Sequence, residues 1–245
     1  MTSTAVTNLE LLRSQTLSGL VQEEIIRRIK VGELDAGAKL NELELSEHLR
    51  ISRSPVREAF SALEEAGLVR LEKNRGAYIR EISDIEAAEL YDVRATLDEA
   101  TGRALAKSIT DAQVRELRDA VALHEQTASR GINEYFLVNI AFHDRIVEMA
   151  GNATMLKLYR QVINRMHLLR RRGFSLSGSS TKSHEEHRRI VEALAARDPE
   201  RAGTAMRQHV MAGFERTVGA SLEASAEPRP ADARSILQTF DGRHQ

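Results

Sequence analysis

Residues 50–80 read RISRSPVREAFSALEEAGLVRLEKNRGAYIR. Val56, Ala59, Phe60 and Leu63 recur at the spacing of one helix face. Ser52 stands where an N-cap belongs, and Pro55 falls near the helix start, where proline is well tolerated. Gly67 marks the stop. The following LVRLEKNRGAYIR (68–80) reads as two short strands around a turn at Asn74–Gly76. Upstream, Asn41 is placed to cap a short helix over 42–49, and GELDAGAKL (32–40) reads as a turn. A longer helix over 14–31 carries Leu17, Leu20, Val21, Ile25, Ile26 and Ile29 on one face.

Helix, turn, helix and two-stranded wing, in that order, predict a winged helix-turn-helix over 14–80. The second helix of such a unit enters the major groove of DNA with its N-terminal residues towards the base edges. Here those residues are Ser52, Arg53, Ser54 and Arg57. Arginine donates two hydrogen bonds to guanine, and serine hydroxyls suit phosphate oxygens. Arg53 and Arg57 are four apart and share a face. Asn74, Arg75 and Gly76 form a tight basic tip suited to a neighbouring minor groove. The alternative is a solvated surface on which Arg53 and Arg57 pair with Glu58 or Glu64.

Bulk charge does not decide between them. The 245-residue chain has 35 Lys and Arg against 36 Asp and Glu, a net charge of −1. The segment 50–80 is locally basic, with Arg50, Arg53, Arg57, Arg70, Lys73, Arg75 and Arg80 against Glu58, Glu64, Glu65 and Glu72. Phosphate neutralisation needs cations on one face, not a basic whole protein. The chain has no cysteine, which excludes disulfides and thiolate metal sites. With no charged leader followed by an apolar run, and no run near membrane-spanning length, the cytoplasm is the expected location.

From Asp84 to about Ser221 nearly everything has helical period, so the fold class is mainly α, a helical bundle following the winged unit. Helices are predicted near 84–107, 111–129, 132–150, 153–173, 182–196 and 199–220. Residues 222–245 are polar, lack an apolar face and predict a disordered tail.

Polar residues interrupt three apolar helix faces. Asn139 and His143 share a stripe with Ile146, Val147 and Ala150; His187 lies with Ile190, Val191 and Leu194; His209 lies with Ala205, Met206 and Gly213. Three inward imidazoles and an amide oxygen from three helices could hold a divalent metal such as zinc, nickel or manganese. The same residues also suit satisfied polar positions in a core. Arg94 lies on an inward stripe with Leu90, Leu97 and Thr101. A buried guanidinium needs an anion, either Asp98 one turn on or an acid of another helix. From Met149 to His184 there is no acidic residue, while Lys157, Arg160, Arg165, Arg170, Arg171, Arg172 and Lys182 fall there. That favours an anionic metabolite.

The segment IRRIKVGELDAGAKLNELELSEHLRISRSPVREAFSALEEAGLVRLEKNRGAYI (26–79) resembles the N-terminal domain of the GntR family of bacterial regulators. The resemblance implies that Ser52, Arg53, Ser54, Arg57 and Gly76 touch DNA. DVRATLDE (92–99), NIAFH with AGN (139–152), SHEEHRRI (183–190) and MRQHV (206–210) resemble the FCD effector domain of the FadR subgroup. That resemblance implies a metal site at Asn139, His143, His187 and His209 and an effector-gripping role for Arg94. Many members carry aspartate where this chain has Asn139, and an amide oxygen is the poorer ligand. GLVRLEKNRGAYIREIS (67–83) and YDVRATLDEATGRALA (91–106) are similar to a branch associated with organophosphonates such as 2-aminoethylphosphonate. Together these imply a regulator, not an enzyme, that binds an operator as a homodimer, since one recognition helix covers only a half-site. Two competing expectations are a metal-dependent hydrolase built on His143, His187 and His209, which leaves 26–79 unexplained, and a helical scaffold that senses nothing.

Overall fold

The computed structural model describes residues 16–127, 132–169 and 179–216. The tail over 222–245, the break at Gly131, and Arg170, Arg171 and Arg172 lie outside the described residues. The elements run α1 (Leu17–Val31), β1 (Lys39–Leu40), α2 (Glu42–Leu49), α3 (Arg53–Glu65), β2 (Val69–Glu72), β3 (Gly76–Ile79), α4 (Asp84–Ala106), α5 (Asp111–Thr127), α6 (Ile132–Met149), α7 (Ala153–Met166), α8 (Ser179–Ala195) and α9 (Pro199–Phe214). No helix among the described residues is long and apolar enough to cross a membrane.

The N-terminal unit is a winged helix-turn-helix. Asn41 caps α2 as its position predicts, its Oδ1 accepting from the N–H groups of Leu43 (3.0 Å) and Glu44 (3.3 Å). The wing differs from expectation. Lys39–Leu40, read as part of a turn, forms a third strand, and the sheet order is β1-β3-β2, antiparallel throughout. Two residues carry no periodicity of their own; they become a strand because β3 offers them an edge. Leu17 and Leu20, placed on the inward face by sequence, are 53% and 43% exposed, while Val21, Ile25 and Ile29 are buried.

In the second half α6, α5, α8 and α9 pack side by side in that order, and α4 packs against α9 and α7. The helix expected over 153–173 ends as α-helix at Met166 and continues as one 3-10 turn, His167–Leu169. The helix expected from 182 begins at Ser179. Pro199 starts α9, and Asp198 caps it by accepting from the Arg201 N–H at 3.0 Å.

One apolar core crosses from the winged unit into the helical domain. It runs from Val21 and Ile25 through Phe60, Leu68 and Ile82 to Leu90, Tyr159, Ile163, Val210 and Phe214. Polar contacts line the same junction. Arg80, after β3, donates to Gly67 O (3.1 Å) and to Glu86 of α4 (2.7 Å), and Arg165 of α7 donates to the other Glu86 oxygen. Burial pulls the Lys30 ammonium of α1 below the usual lysine range, with Asp144 of α6 opposing and Arg160 of α7 adding to the effect.

α4 and α9 make the most extensive helix contact in the described structure. Glycine permits it. A Cβ on Gly102 would stand 2.9 Å from Ala202 O, and one on Gly203 would stand 2.7 Å from Arg103 Cγ and 3.1 Å from Glu99 O. Alanine at a helix interior ordinarily gains about 1 kcal/mol over glycine. At Gly102 the clash with backbone should outweigh that gain, because overpacking costs roughly 1–3 kcal/mol. Gly102→Ala is therefore expected to lower stability to chemical denaturation; a variant more stable than wild type would show that the helices have room to part.

Candidate nucleic-acid interface and imidazole cluster

Ser52, Arg53, Ser54 and Arg57 all lie on the exposed face of α3, opposite buried Val56, Ala59, Phe60 and Leu63. Ser52 is the N-cap by backbone, but its side chain makes no cap hydrogen bond. Ser54 Oγ donates instead to Glu58 (3.1 Å). Arg57 pairs with neither Glu58 nor Glu64. Its Nε donates to Glu42 at the start of α2, at 2.9 Å, and this hydrogen bond raises its pKa. Glu64 accepts the Leu71 N–H of β2 at 2.8 Å. Among the described residues Arg53 has no ion-pair partner. At the wing tip Asn74 (φ 62°) and Gly76 (φ 103°) adopt left-handed backbone that turns the strand, and exposed Arg75 pairs with Glu72 at 3.1 Å. Between α3 and the wing lies an open groove of about 1020 Å³, lined by Lys39, Arg57, Asn74 and Arg75 among others. Exposed pairs of this kind contribute at most about 1 kcal/mol each, so a phosphate can replace the glutamate.

In the helical domain His143 (α6), His187 (α8) and His209 (α9) converge. Their relative exposures are 2%, 0% and 6%. The three Nε2 atoms form a triangle: His143 to His187 at 3.1 Å, His187 to His209 at 3.3 Å, and His209 to His143 at 3.0 Å. Two nitrogens about 2.1 Å from one ion at right angles stand about 3.0 Å apart. Burial lowers the pKa of all three rings, most strongly for His143 and His187, which favours the neutral form that offers a lone pair. His209 Nδ1 contacts Glu186 Oε2 at 2.7 Å, and Arg216 holds both oxygens of that carboxylate at 2.8 and 3.0 Å. Burial pushes the Glu186 pKa up; hydrogen bonds from His209 and Arg216 more than offset it and hold it at about 2. A carboxylate behind a ligating histidine fixes the tautomer that turns the other nitrogen inward. The donor set fits a divalent ion of imidazole preference. Asn139 sits one turn before His143 on α6, half-buried.

Residues 17–79 match the family model of bacterial regulatory proteins of the gntR family, and residues 89–212 match the FCD domain. The chain belongs to the GntR family. It is 28% identical to the "Nta operon transcriptional regulator" of Aminobacter aminovorans, over 73% of this chain and 84% of that one. It is 30% identical to the "Probable D-xylose utilization operon transcriptional repressor" of Paenarthrobacter nicotinovorans, over 87% and 97%. The fold is similar to that of E. coli McbR/YncC (TM-score 0.75, 19% identity, 86% of this chain and 100% of that one). It is also similar to that of a GntR regulator from Rhodococcus sp. RHA1 (TM-score 0.73, 25% identity, 83% and 98%). This GntR protein is a DNA-binding transcriptional regulator with a helical ligand-binding domain, not an enzyme, and the hydrolase alternative finds no support among these relatives.

Arg94 lies beside the FCD cluster, close enough that its charge lowers the pKa of His143 and His209. Its Nε donates to Asp98 at 3.1 Å, with the two side chains 14% and 0% exposed. Burial pushes the Asp98 pKa up to about 6, with Arg94 opposing. Asp98 Oδ1 is buried with no hydrogen-bond partner among the described residues. Sequence reasoning named this partner, but missed two groups that frame the cluster, Glu186 and His124. His124 is fully buried on α5. It follows Val114, Leu117 and Val121 on one helix face, the same signal that singles out His143.

The two halves of the Arg94–Asp98 pair are not equivalent. Asp98 can neutralise itself by taking up a proton, whereas a guanidinium stays charged. Asp98→Ala should therefore cost more stability than Arg94→Ala, on the order of 3–5 kcal/mol for the stranded arginine. Equal losses in denaturant titrations at neutral pH would mean that Arg94 finds another anion.

Proposed function

We propose that this regulator binds a two-fold operator as a homodimer and that a small anionic metabolite in the FCD domain sets its affinity. The convergence of three buried Nε2 atoms within 3.0–3.3 Å carries the effector half of the proposal. Asn139, His143, His187 and His209 would hold a divalent metal, zinc, nickel or manganese. Such an ion supplies a Lewis-acid position open to an oxygen of the ligand. Arg94 would take a second oxygen of the same anion, leaving Asp98 to share its guanidinium. The resemblance of 67–83 and 91–106 to organophosphonate-linked regulators makes phosphonates the first anions to try. A ligand that ties α4, α6, α8 and α9 together alters DNA affinity only by preferring one placement of the winged units over another. An operator as target places the protein in the cytoplasm.

On the DNA side Ser52, Arg53, Ser54 and Arg57 would face the major groove, with Arg75 and Gly76 reaching the adjacent minor groove. Free of DNA, Glu42 and Glu72 hold Arg57 and Arg75. Arg53→Ala and Arg57→Ala are each expected to weaken specific binding by about 1–3 kcal/mol. Glu42→Gln should tighten binding to random duplex by up to about fivefold, the equivalent of an exposed ion pair. Fluorescence anisotropy on specific and random duplexes measures both, and wild-type affinity in both arginine variants would place the recognition helix elsewhere.

For the effector site, native mass spectrometry reports subunit number and bound metal together. His143→Ala is expected to abolish metal binding and the response of the protein–operator complex to inorganic phosphate or 2-aminoethylphosphonate, while leaving operator affinity intact. Asn139→Asp should tighten the metal. A wild type that holds no metal yet responds to these anions would make the three histidines core residues only.

A further inference from the structure

His124 is fully buried, stacked on Tyr135 with ring centroids 4.2 Å apart, and meets His184 edge-on at 4.6 Å. Its Nδ1 lies 3.2 Å from Nδ1 of His187. Both rings are 0% exposed. A neutral imidazole carries one proton, so in this contact one ring donates and the other accepts. If His187 donates through Nδ1, its Nε2 lone pair faces the Nε2 atoms of His143 and His209. If it accepts, the proton sits on Nε2 and points into the cluster, which closes His187 to a cation.

The other two rings differ in what holds them. His209 is held by the Glu186 carboxylate, an acceptor only, so its inward lone pair is permanent. His143 Nδ1 is buried and has no hydrogen-bond partner among the described residues. The inward orientation of the His187 lone pair thus depends on which proton arrangement the His124 contact adopts.

We infer that His124 is a positioning residue: by accepting the Nδ1 proton of His187 it presents the His187 lone pair to a metal and sets the affinity of the cluster. This rests on the metal reading above. In that arrangement His124 carries its own proton on Nε2, the atom that is buried with no partner among the described residues. Replacing a group behind a metal-ligating histidine typically costs 10–100-fold in affinity.

Three substitutions isolate the nitrogen from the ring. His124→Phe keeps the stacked ring and removes the acceptor. His124→Asn puts an amide oxygen near where Nδ1 stood, and His124→Gln puts one near Nε2 instead. Cobalt and zinc affinities are measured by competition with a chromophoric chelator, with the cobalt visible spectrum as a check on coordination. Metal-free melting and operator binding report whether each variant is folded. The expected result is a 10–100-fold loss for the Phe and Gln variants and recovery to within about threefold of wild type for Asn, with operator binding unchanged. If His124→Phe, or His124→Asn and His124→Gln alike should the Phe variant not fold, binds as wild type while His143→Ala loses the metal, His124 has no such role and the metal site stands. If wild type and His143→Ala are alike in holding neither metal, both readings fall together.

Discussion

The close approach of α4 and α9 at Gly102 and Gly203 is the constraint on which the helical domain rests. It lays α9 along α4, so that His209 projects towards His143 of α6 and His187 of α8 while Arg94 of α4 stays within electrostatic reach of the same rings. Side chains at that crossing would push the helices apart, and an imidazole triangle with 3.0–3.3 Å edges has no slack to absorb the displacement. That close packing brings three buried rings, a carboxylate and a guanidinium into one place.

Much of this was legible in the sequence, for physical reasons. The winged unit declares itself because each signal is local: an Asn cap, a proline in the first turn, an apolar face, a glycine stop and a turn of Asn74–Gly76. His143, His187 and His209 stand out because each interrupts an otherwise apolar face, and Arg94 because a charge on an inward stripe demands an anion. What escaped depends on partners far along the chain. Lys39–Leu40 is a strand only because β3 pairs with it. Arg57 finds Glu42 across the corner between two helices, not the acids on its own helix. Leu17 and Leu20 match the apolar period of α1 but remain 53% and 43% exposed. His124 carries the same local signal as the other histidines; its place behind His187 appears only when α5 and α8 are set side by side.

The family comparison and the geometry answer different questions. The matches over 17–79 and 89–212 identify a regulator with a ligand-binding domain. The geometry adds particular residues of this chain: Asn139 one turn before His143, His124 behind His187, and Glu186, clamped by Arg216, behind His209.

Consecutive residues on an α-helix point about 100° apart, and α6 uses two of them for different ends. His143 faces the imidazole cluster, while Asp144 receives both Arg160 Nε at 2.8 Å and the field of Lys30 from α1. Since helix backbone is stiff along and about its axis, α6 works as a common shaft: a turn or slide that improves the fit at His143 moves the Asp144 carboxylate through a comparable arc. A displacement of α6 at the imidazole cluster thereby reaches the carboxylate whose charge acts on Lys30 of the winged unit.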